Sequence, residues 1–170
     1  MPRLRADAAR TRAASLRSGR HPGVGPEQVI PETLLARLEQ ARVACLASLD
    51  ADDGPHIVPV CFASEGQVLY TALDQKTKRV PPERLARVRN IRAKPRVALL
   101  IDHYQEDWSQ LWYVLIRGTA QLLTRSAHQE RGRAIRKLRA KYPQYTPEML
   151  PEDAPIIRIR PQRVTSWGKI

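Results

Sequence analysis

The sequence predicts a mainly β domain of the α+β class, an antiparallel barrel with helices at its periphery. At least six short strand-like runs are joined by short turns, and few helical segments separate them. The strand-helix alternation typical of a doubly wound fold is missing. With 170 residues, the chain has room for one domain with a sizeable core, or for one domain and a tail.

The domain is predicted to begin with a helix and three strands. The helix "PETLLARLEQAR" begins at Pro31, and Leu34, Leu35, Leu38 and Ala41 form its apolar face. Hairpin signals at "DADDGP" and "SEGQ" join the strands that follow. These strands are "VACLASL" (43–49), "HIVPVCFA" (56–63) and "VLYTA" (68–72).

Two strands and a helix are predicted in the second half of the chain. The strands are "RVALLIDHY" (96–104) and "LWYVLIRGTAQLL" (111–123). The helix "SAHQERGRAIRKLRAKY" (126–142) has Ser126 as its predicted N-cap, with Ile135 and Leu138 on one side.

The final strand, "PIIRIRPQRVTSWG", alternates isoleucine with arginine, as a half-buried strand does. Pro161 is expected to interrupt it, so that the strand bends or lies at an edge.

The charge of the chain invites an anionic partner. It has 29 Lys+Arg against 17 Asp+Glu, a net charge of +12. Residues 1–25 hold six arginines and one acid and are expected to form a separate, flexible extension before a domain at 26–170. This extension resembles an organellar transit peptide, and a basic arm could contact nucleic acid, but the favoured interpretation is a basic tail without specific function.

The cysteines and the apolar runs indicate a cytoplasmic protein. Cys45 and Cys61 lie in apolar strand-like runs and are expected to be buried free thiols. No run of 18 apolar residues and no secretory signal is present, so no membrane span is expected. The four histidines lack metal-ligand spacing, and no metal site is predicted. His103 beside Asp102 is either an acid-base pair or an ordinary strand-end histidine.

The basic segment after the third strand is a candidate phosphate site. Neither glycine-loop motif for phosphate occurs, but Thr71 is followed by Lys76 and Lys78 and by a helix expected to start near Pro81 and to contain Arg87. The alternative is a solvated basic surface. Aromatic residues cluster at 104–113, and indole faces near a phosphate suit a planar phosphorylated heterocycle.

Several of these motifs together resemble a known family. "HIVPVCF", "QVLYTALDQKTK", "RLARVRNIRAKPRVALLID" and "RVTSWG" resemble the pyridoxamine 5′-phosphate oxidase-like split β-barrel flavoproteins with an FMN-binding-like fold, over about residues 30–170. "ALDQKTKRVPPERLARVRNIRAKPRVALLIDHYQEDWSQLWYVLIRG" is similar to the class described as coenzyme F420-dependent enzymes.

The resemblance implies a homodimer with two cofactor sites at the interface. The third strand and the basic residues after it would hold the cofactor phosphate, with Lys78 and Arg87 competing for one role. The strand at Val58 would lie along the ring, Trp108 would approach it, and Trp167 would serve the partner's site. The implied cofactor-binding residues are Val58, Pro59, Val60, Tyr70, Thr71, Ala72, Lys76, Lys78, Arg87, Trp108 and Trp167.

The function implied is that of an oxidoreductase that uses F420 to transfer hydride to or from an organic substrate. The alternatives are an FMN-dependent oxidoreductase of the same fold, a non-catalytic F420-, FMN- or haem-binding protein, and a nucleic-acid-binding protein. The C-terminal arginine-histidine pattern of pyridoxamine phosphate oxidase itself is missing, which disfavours that activity. No catalytic side chain, substrate or specific nucleic acid is assigned.

Overall fold

The computed structural model describes residues 29–73, 81–123 and 125–169. The basic extension, Lys76 and Lys78 lie outside these residues. None of the helices in the described ranges is long and apolar enough to cross a membrane.

The described residues form three α-helices and a seven-stranded antiparallel sheet. Three short 3-10 turns lie in the connections between these elements. The helices are α1 (Glu32–Gln40), α2 (Ala86–Ala93) and α3 (His128–Lys141). The strands are β1 (Ala44–Leu49), β2 (Pro55–Val60), β3 (Ala63–Glu65), β4 (Val68–Ala72), β5 (Arg96–His103), β6 (Trp112–Leu122) and β7 (Ile156–Gly168).

The strand order is β2-β1-β5-β6-β7-β4-β3. The two outermost strands, β2 and β3, follow one another directly in the chain, so the sheet must curl to bring its ends near each other. The result is a split β-barrel, which confirms the predicted fold class.

Two apolar clusters hold the helices against the curled sheet. Leu34 and Leu38 of α1, both buried as predicted, pack with Leu46 and Ile116 inside the barrel. The second cluster lies under α3, where Ile135 and Leu138 are fully buried. The apolar faces predicted for α1 and α3 are therefore confirmed.

The predicted strand 56–63 is wrong in one respect, because it is two strands. The chain breaks pairing after Val60, and Phe62 points into the core with no exposed surface. The Phe62 N–H donates to the Tyr142 hydroxyl at 3.0 Å, and the same hydroxyl donates to the Phe62 carbonyl at 2.7 Å. These bonds to α3 replace the strand ladder at this point.

The irregularity predicted at Pro161 is confirmed, although β7 continues through this residue as one strand. Pro161 pairs with Gly118 at a register shift that leaves Gln162 without an opposite residue in β6. It also lies beyond Ile159, the last residue of β7 that pairs with β4. A proline has no backbone N–H to donate. It is tolerated here because the bulge and the unpaired side of β7 leave no regular ladder hydrogen bond that needs this donor.

Two helix starts and the state of the cysteines need correction. The N-cap of α3 is Ala127 and not Ser126, because a 3-10 turn occupies residues 125–127. The helix expected near Pro81 begins at Ala86, since an extended residue, Leu85, separates it from a 3-10 turn. Cys45 and Cys61 are free, as predicted, but only partly buried.

Candidate cofactor-binding site

The residues predicted to bind a cofactor fall at opposite ends of the sheet. At one end of the sheet, Val60 pairs with Ala44. The C-terminal residues of β5 and β7 lie at this same end. Pro55 and the last residue of β4, Ala72, lie at the other end. From Pro59 to Pro55 is four residues of strand, about 13 Å at 3.3 Å per residue.

The ring end of the site is β2, which has a neighbour, β1, on one side only within the described sheet. Val60 is buried and Val58 packs against the barrel core, so these side chains anchor the strand. Pro59 and Ile57 point to the outer face, and Ile57 is 63% exposed. The strand therefore offers a flat ring a fixed backbone edge and an apolar surface.

The phosphate end begins at β4, whose side chains are buried. Thr71 is 1% exposed and Ala72 is 6% exposed. The Tyr70 hydroxyl donates to Glu130 at 3.0 Å, and burial together with this carboxylate raises the pKa of Tyr70. Tyr70 and Ala72 can thus reach a cofactor through backbone atoms only.

Of the three cations assigned to the phosphate, only Arg87 lies within the described residues. Arg87 lies in the first turn of α2 and is half-buried. Lys76 and Lys78 follow β4 within residues 74–80, outside the described ranges. Their assignment stays a prediction.

The two predicted tryptophans are exposed, as ring-contacting residues of an open site would be. Trp108 is 72% exposed, and Trp167 is 56% exposed and stacks on Tyr113 with 6.1 Å between ring centroids. Three strands separate β2 from β7 in the sheet, so Trp167 does not lie on a strand next to β2 within one protomer.

A groove of about 610 Å³ opens at the ring end of the sheet. Its walls include Arg37 of α1, Arg42 just after α1, His103 of β5, Trp112 of β6, and Lys169. Sequence reasoning did not single out the three cations, because Lys169 is far from both arginines along the chain. It did recognise Trp112 as part of the aromatic cluster and considered His103 only as a possible partner of Asp102.

A second groove, of about 470 Å³, opens at the opposite end of the sheet, next to Pro55. Arg96 and Arg117 line it, and Arg117 lies directly across the ladder from Arg163. Like charges placed opposite each other destabilise a sheet, so an anion would relieve this pair. The phosphate end of β2 thus has cations on the described surface that sequence reasoning missed.

These features suit a ribityl-phosphate cofactor on β2, because the one-sided edge of the strand is apolar and cations lie near both of its ends. The described residues fit the ring end of such a group directly. They also supply positive charge where its phosphate would lie.

The chain belongs to the pyridoxamine 5′-phosphate oxidase family, which matches it over residues 30–168. The split barrel and the family thus agree with the resemblance seen in the motifs. None of the curated proteins matches the chain significantly.

Solved structures with the same fold differ in what they bind. Protein Rv2991 of Mycobacterium tuberculosis is 20% identical over 84% of this chain and 88% of its own, with a TM-score of 0.66. An F420 reductase is 24% identical over 80% and 98%, with a TM-score of 0.59. An FAD-binding protein of Mesorhizobium loti is 20% identical over 82% and 95%, with a TM-score of 0.59. At these identities the likeness shows the fold.

Proposed function

We propose that this protein is a cytoplasmic oxidoreductase that uses the deazaflavin coenzyme F420. The observation that supports it most is the apolar edge of β2 at Pro59, which has a neighbouring strand on one side only and could hold a flat ring. The family and the F420 reductase among its structural neighbours support the same cofactor class. The free thiols of Cys45 and Cys61 suit a reducing compartment.

The bound coenzyme would supply hydride transfer between its central ring and a conjugated organic substrate. The chain's own residues bind and orient it. The backbone of Val58–Val60 sets the plane of the ring, since Val58 and Val60 fix the strand to the core. Lys76 and Lys78 hold the phosphate, with Arg87 as the alternative to Lys78.

We further propose that the domain, residues 26–170, works as a homodimer. The outer face of the sheet is apolar across neighbouring strands, where Pro59, Cys45, Leu100 and Leu115 lie in one row of the ladder. Burying such a row stabilises association. A second copy could also bring its own Trp167 to the ring that lies on β2, since three strands separate β2 from β7 within one protomer.

FMN is the second candidate cofactor, because it has the same ribityl phosphate and a flavin-binding neighbour shares the fold. Extra cations near the site favour F420, whose tail adds a phosphate diester and glutamate carboxylates. A protein that carries F420, FMN or haem without turnover would have the same binding residues. The absorption spectrum of the loaded protein distinguishes these cofactors, and substrate-dependent oxidation of reduced F420 distinguishes enzyme from carrier.

The experiment that tests the proposal measures dissociation constants for F420 and FMN separately. Lys76→Gln with Lys78→Gln should weaken the preferred cofactor by at least two orders of magnitude, since each charge-assisted contact contributes roughly 1.5–3 kcal/mol. Lys137→Gln on the exposed side of α3 is the matched control. Unchanged affinity would move the phosphate to Arg87 or to the arginines beside Pro55.

Two results would reject the proposal as a whole. One is the absence of micromolar affinity for either cofactor. The other is tight, steeply salt-dependent binding of DNA or RNA that survives removal of residues 1–25, which a nucleic-acid-binding protein would show. Sedimentation of the purified chain tests the dimer, and a monomer at micromolar concentration would contradict it.

A further inference from the structure

The α1 groove is the cavity between α1 and the ring end of the sheet. Its lining includes Arg37, Arg42, His103, Trp112 and Lys169. We propose that the α1 groove binds a carboxylate conjugated to a π system. As a substrate site it rests on the proposed function, and it then defines the class of substrate as a conjugated acid.

The cations of the α1 groove have few acidic neighbours. Lys169 is attracted to Asp107, whose pKa is lowered mainly by hydrogen bonds from Ser109 and also by this cation. None of the ion pairs among the described residues involves Arg37, Arg42 or Lys169. Asp102 is the acidic residue in the lining, so three cations face one carboxylate. Guanidinium groups match carboxylates with two parallel hydrogen bonds, and an unpaired set of them in a groove is suited to an anionic ligand.

These cations are held in place by contacts inside the protein. The Arg37 guanidinium carbon lies 5.7 Å from the centre of the Trp112 ring, and Arg37 Nη2 donates to the Lys169 carbonyl at 3.3 Å. The Arg42 guanidinium carbon lies 4.7 Å from the centre of the Tyr142 ring. Lys169 Nζ donates to Gln110 at 2.9 Å. Little side-chain freedom remains to be lost on binding.

The shape of the α1 groove favours a flat ligand. His103 stacks on Trp112 with ring centroids 6.1 Å apart and an angle of 20° between the planes, and His103 is exposed. A carboxylate that is conjugated to a double bond or an aromatic ring lies in the same plane as it. Such a ligand meets the guanidinium groups and the stacked rings together, which a tetrahedral phosphate cannot do.

The position of the α1 groove connects it to the proposed ring site. Ala44 and Cys45 line the groove and pair with Val60 and Pro59 of β2. A ligand in the groove therefore lies one strand away from the edge on which the ring would rest. At about 610 Å³, the volume is within the range that small-molecule sites use.

Two molecules could bring a carboxylate to this place, the substrate and the glutamate tail of F420. The probes are trans-cinnamate and its neutral amide, cinnamamide, titrated by calorimetry against the chain without cofactor. Wild type should bind cinnamate at least tenfold more tightly than the amide. Arg37→Gln and Arg42→Gln should each weaken cinnamate about tenfold, the loss of one charge-assisted contact. Arg136→Gln on the exposed side of α3 should change nothing.

The same variants, titrated with F420 and FMN, separate the two sources. Weaker cinnamate with both cofactors unchanged assigns the α1 groove to substrate. Weaker F420 with unchanged FMN, which has no tail, assigns the α1 groove to the tail, whose carboxylates are not conjugated, and overturns the inference. Wild type that does not distinguish cinnamate from its amide overturns it as well. Wild type that binds neither cofactor would reject the proposed function, while the cinnamate titrations would still test the α1 groove.

Discussion

Lys141 is a cation that the fold holds largely out of water, and this should make the stability of the protein rise with pH. Its ammonium donates to the Leu38 carbonyl at 2.7 Å and lies 4.0 Å from the centre of the Phe62 ring. Burial lowers the pKa of Lys141 from its usual 10.5 to about 8, although Glu39 nearby acts in the opposite direction.

The direction and the size of the effect follow from this shift. Between pH 8 and 10.5 the unfolded chain holds a proton on Lys141 that the folded chain has lost, so the free energy of unfolding rises with pH. The full shift corresponds to about 3.4 kcal/mol, and screening of the exposed part of the side chain reduces it to about 1–2 kcal/mol. Above pH 10 Tyr142 acts against it, because burial raises the pKa of Tyr142 from 10.0 to about 12.

Urea unfolding from pH 7 to 10 measures this gain, with Lys141→Met compared with the parent. Both chains should also have Cys61→Ser, since charge on Cys61 would raise the pKa of Lys141. The parent should gain about 1–2 kcal/mol over the Met variant across this range. Lys137→Met, at an exposed position of α3, should shift stability equally at every pH. Parallel curves for Lys141→Met and the parent would refute the reasoning.

Two further substitutions test the framework around the site by urea unfolding. Glu130→Gln removes a carboxylate that accepts hydrogen bonds from Tyr70 at 3.0 Å and from Arg158 at 2.9 Å. It should lower the free energy of unfolding by about 2 kcal/mol. A decrease under about 0.5 kcal/mol would show that the Glu130–Arg158 ion pair is no stronger than a surface pair. Gly118→Ala would place Cβ 2.0 Å from a carbonyl oxygen of β7 and should lower the free energy of unfolding by about 3 kcal/mol. The control is Gly132→Ala, whose Cβ would lie 3.4 Å from the end of a flexible arginine side chain and which should be neutral or stabilising. Equal effects of the two substitutions would contradict the close approach of β7 to Gly118.

The fold followed from local patterns wherever neighbours in sequence decide the structure. The strands predicted at 43–49, 68–72, 96–104 and 111–123 are present within one residue at each end, because alternating side chains and hairpin turns fix them. The break at Phe62 depends on Tyr142, eighty residues away, and the passage of β7 through Pro161 depends on the bulge opposite Gly118. No window of sequence contains both partners of such a contact.

The candidate site was also predictable from sequence only where a single segment of the chain contains the residues. Recognisable motifs on single segments indicated β2 and the basic stretch after β4 as the parts that would contact a cofactor. The α1 groove was missed because Arg37, His103 and Lys169 become neighbours only through the order of the strands. The signal available was weak: Arg37 and Arg42 lie near the end of α1, but Glu39 lies between them in the sequence.

One side chain of α3's C-terminal end sets the geometry of both regions. The Tyr142 hydroxyl binds Phe62 directly after β2, and the Arg42 carbonyl is its second acceptor at 3.0 Å. The ring of Tyr142 also lies against the Arg42 guanidinium. The end of the strand proposed to orient the cofactor ring and one wall of the α1 groove are therefore fixed to the same buried residue. Because this anchor belongs to the core and not to a loop, the distance between a ring on β2 and a substrate whose carboxylate lies in the groove should stay constant. Hydride transfer from the ring to the conjugated double bond of that substrate would require this.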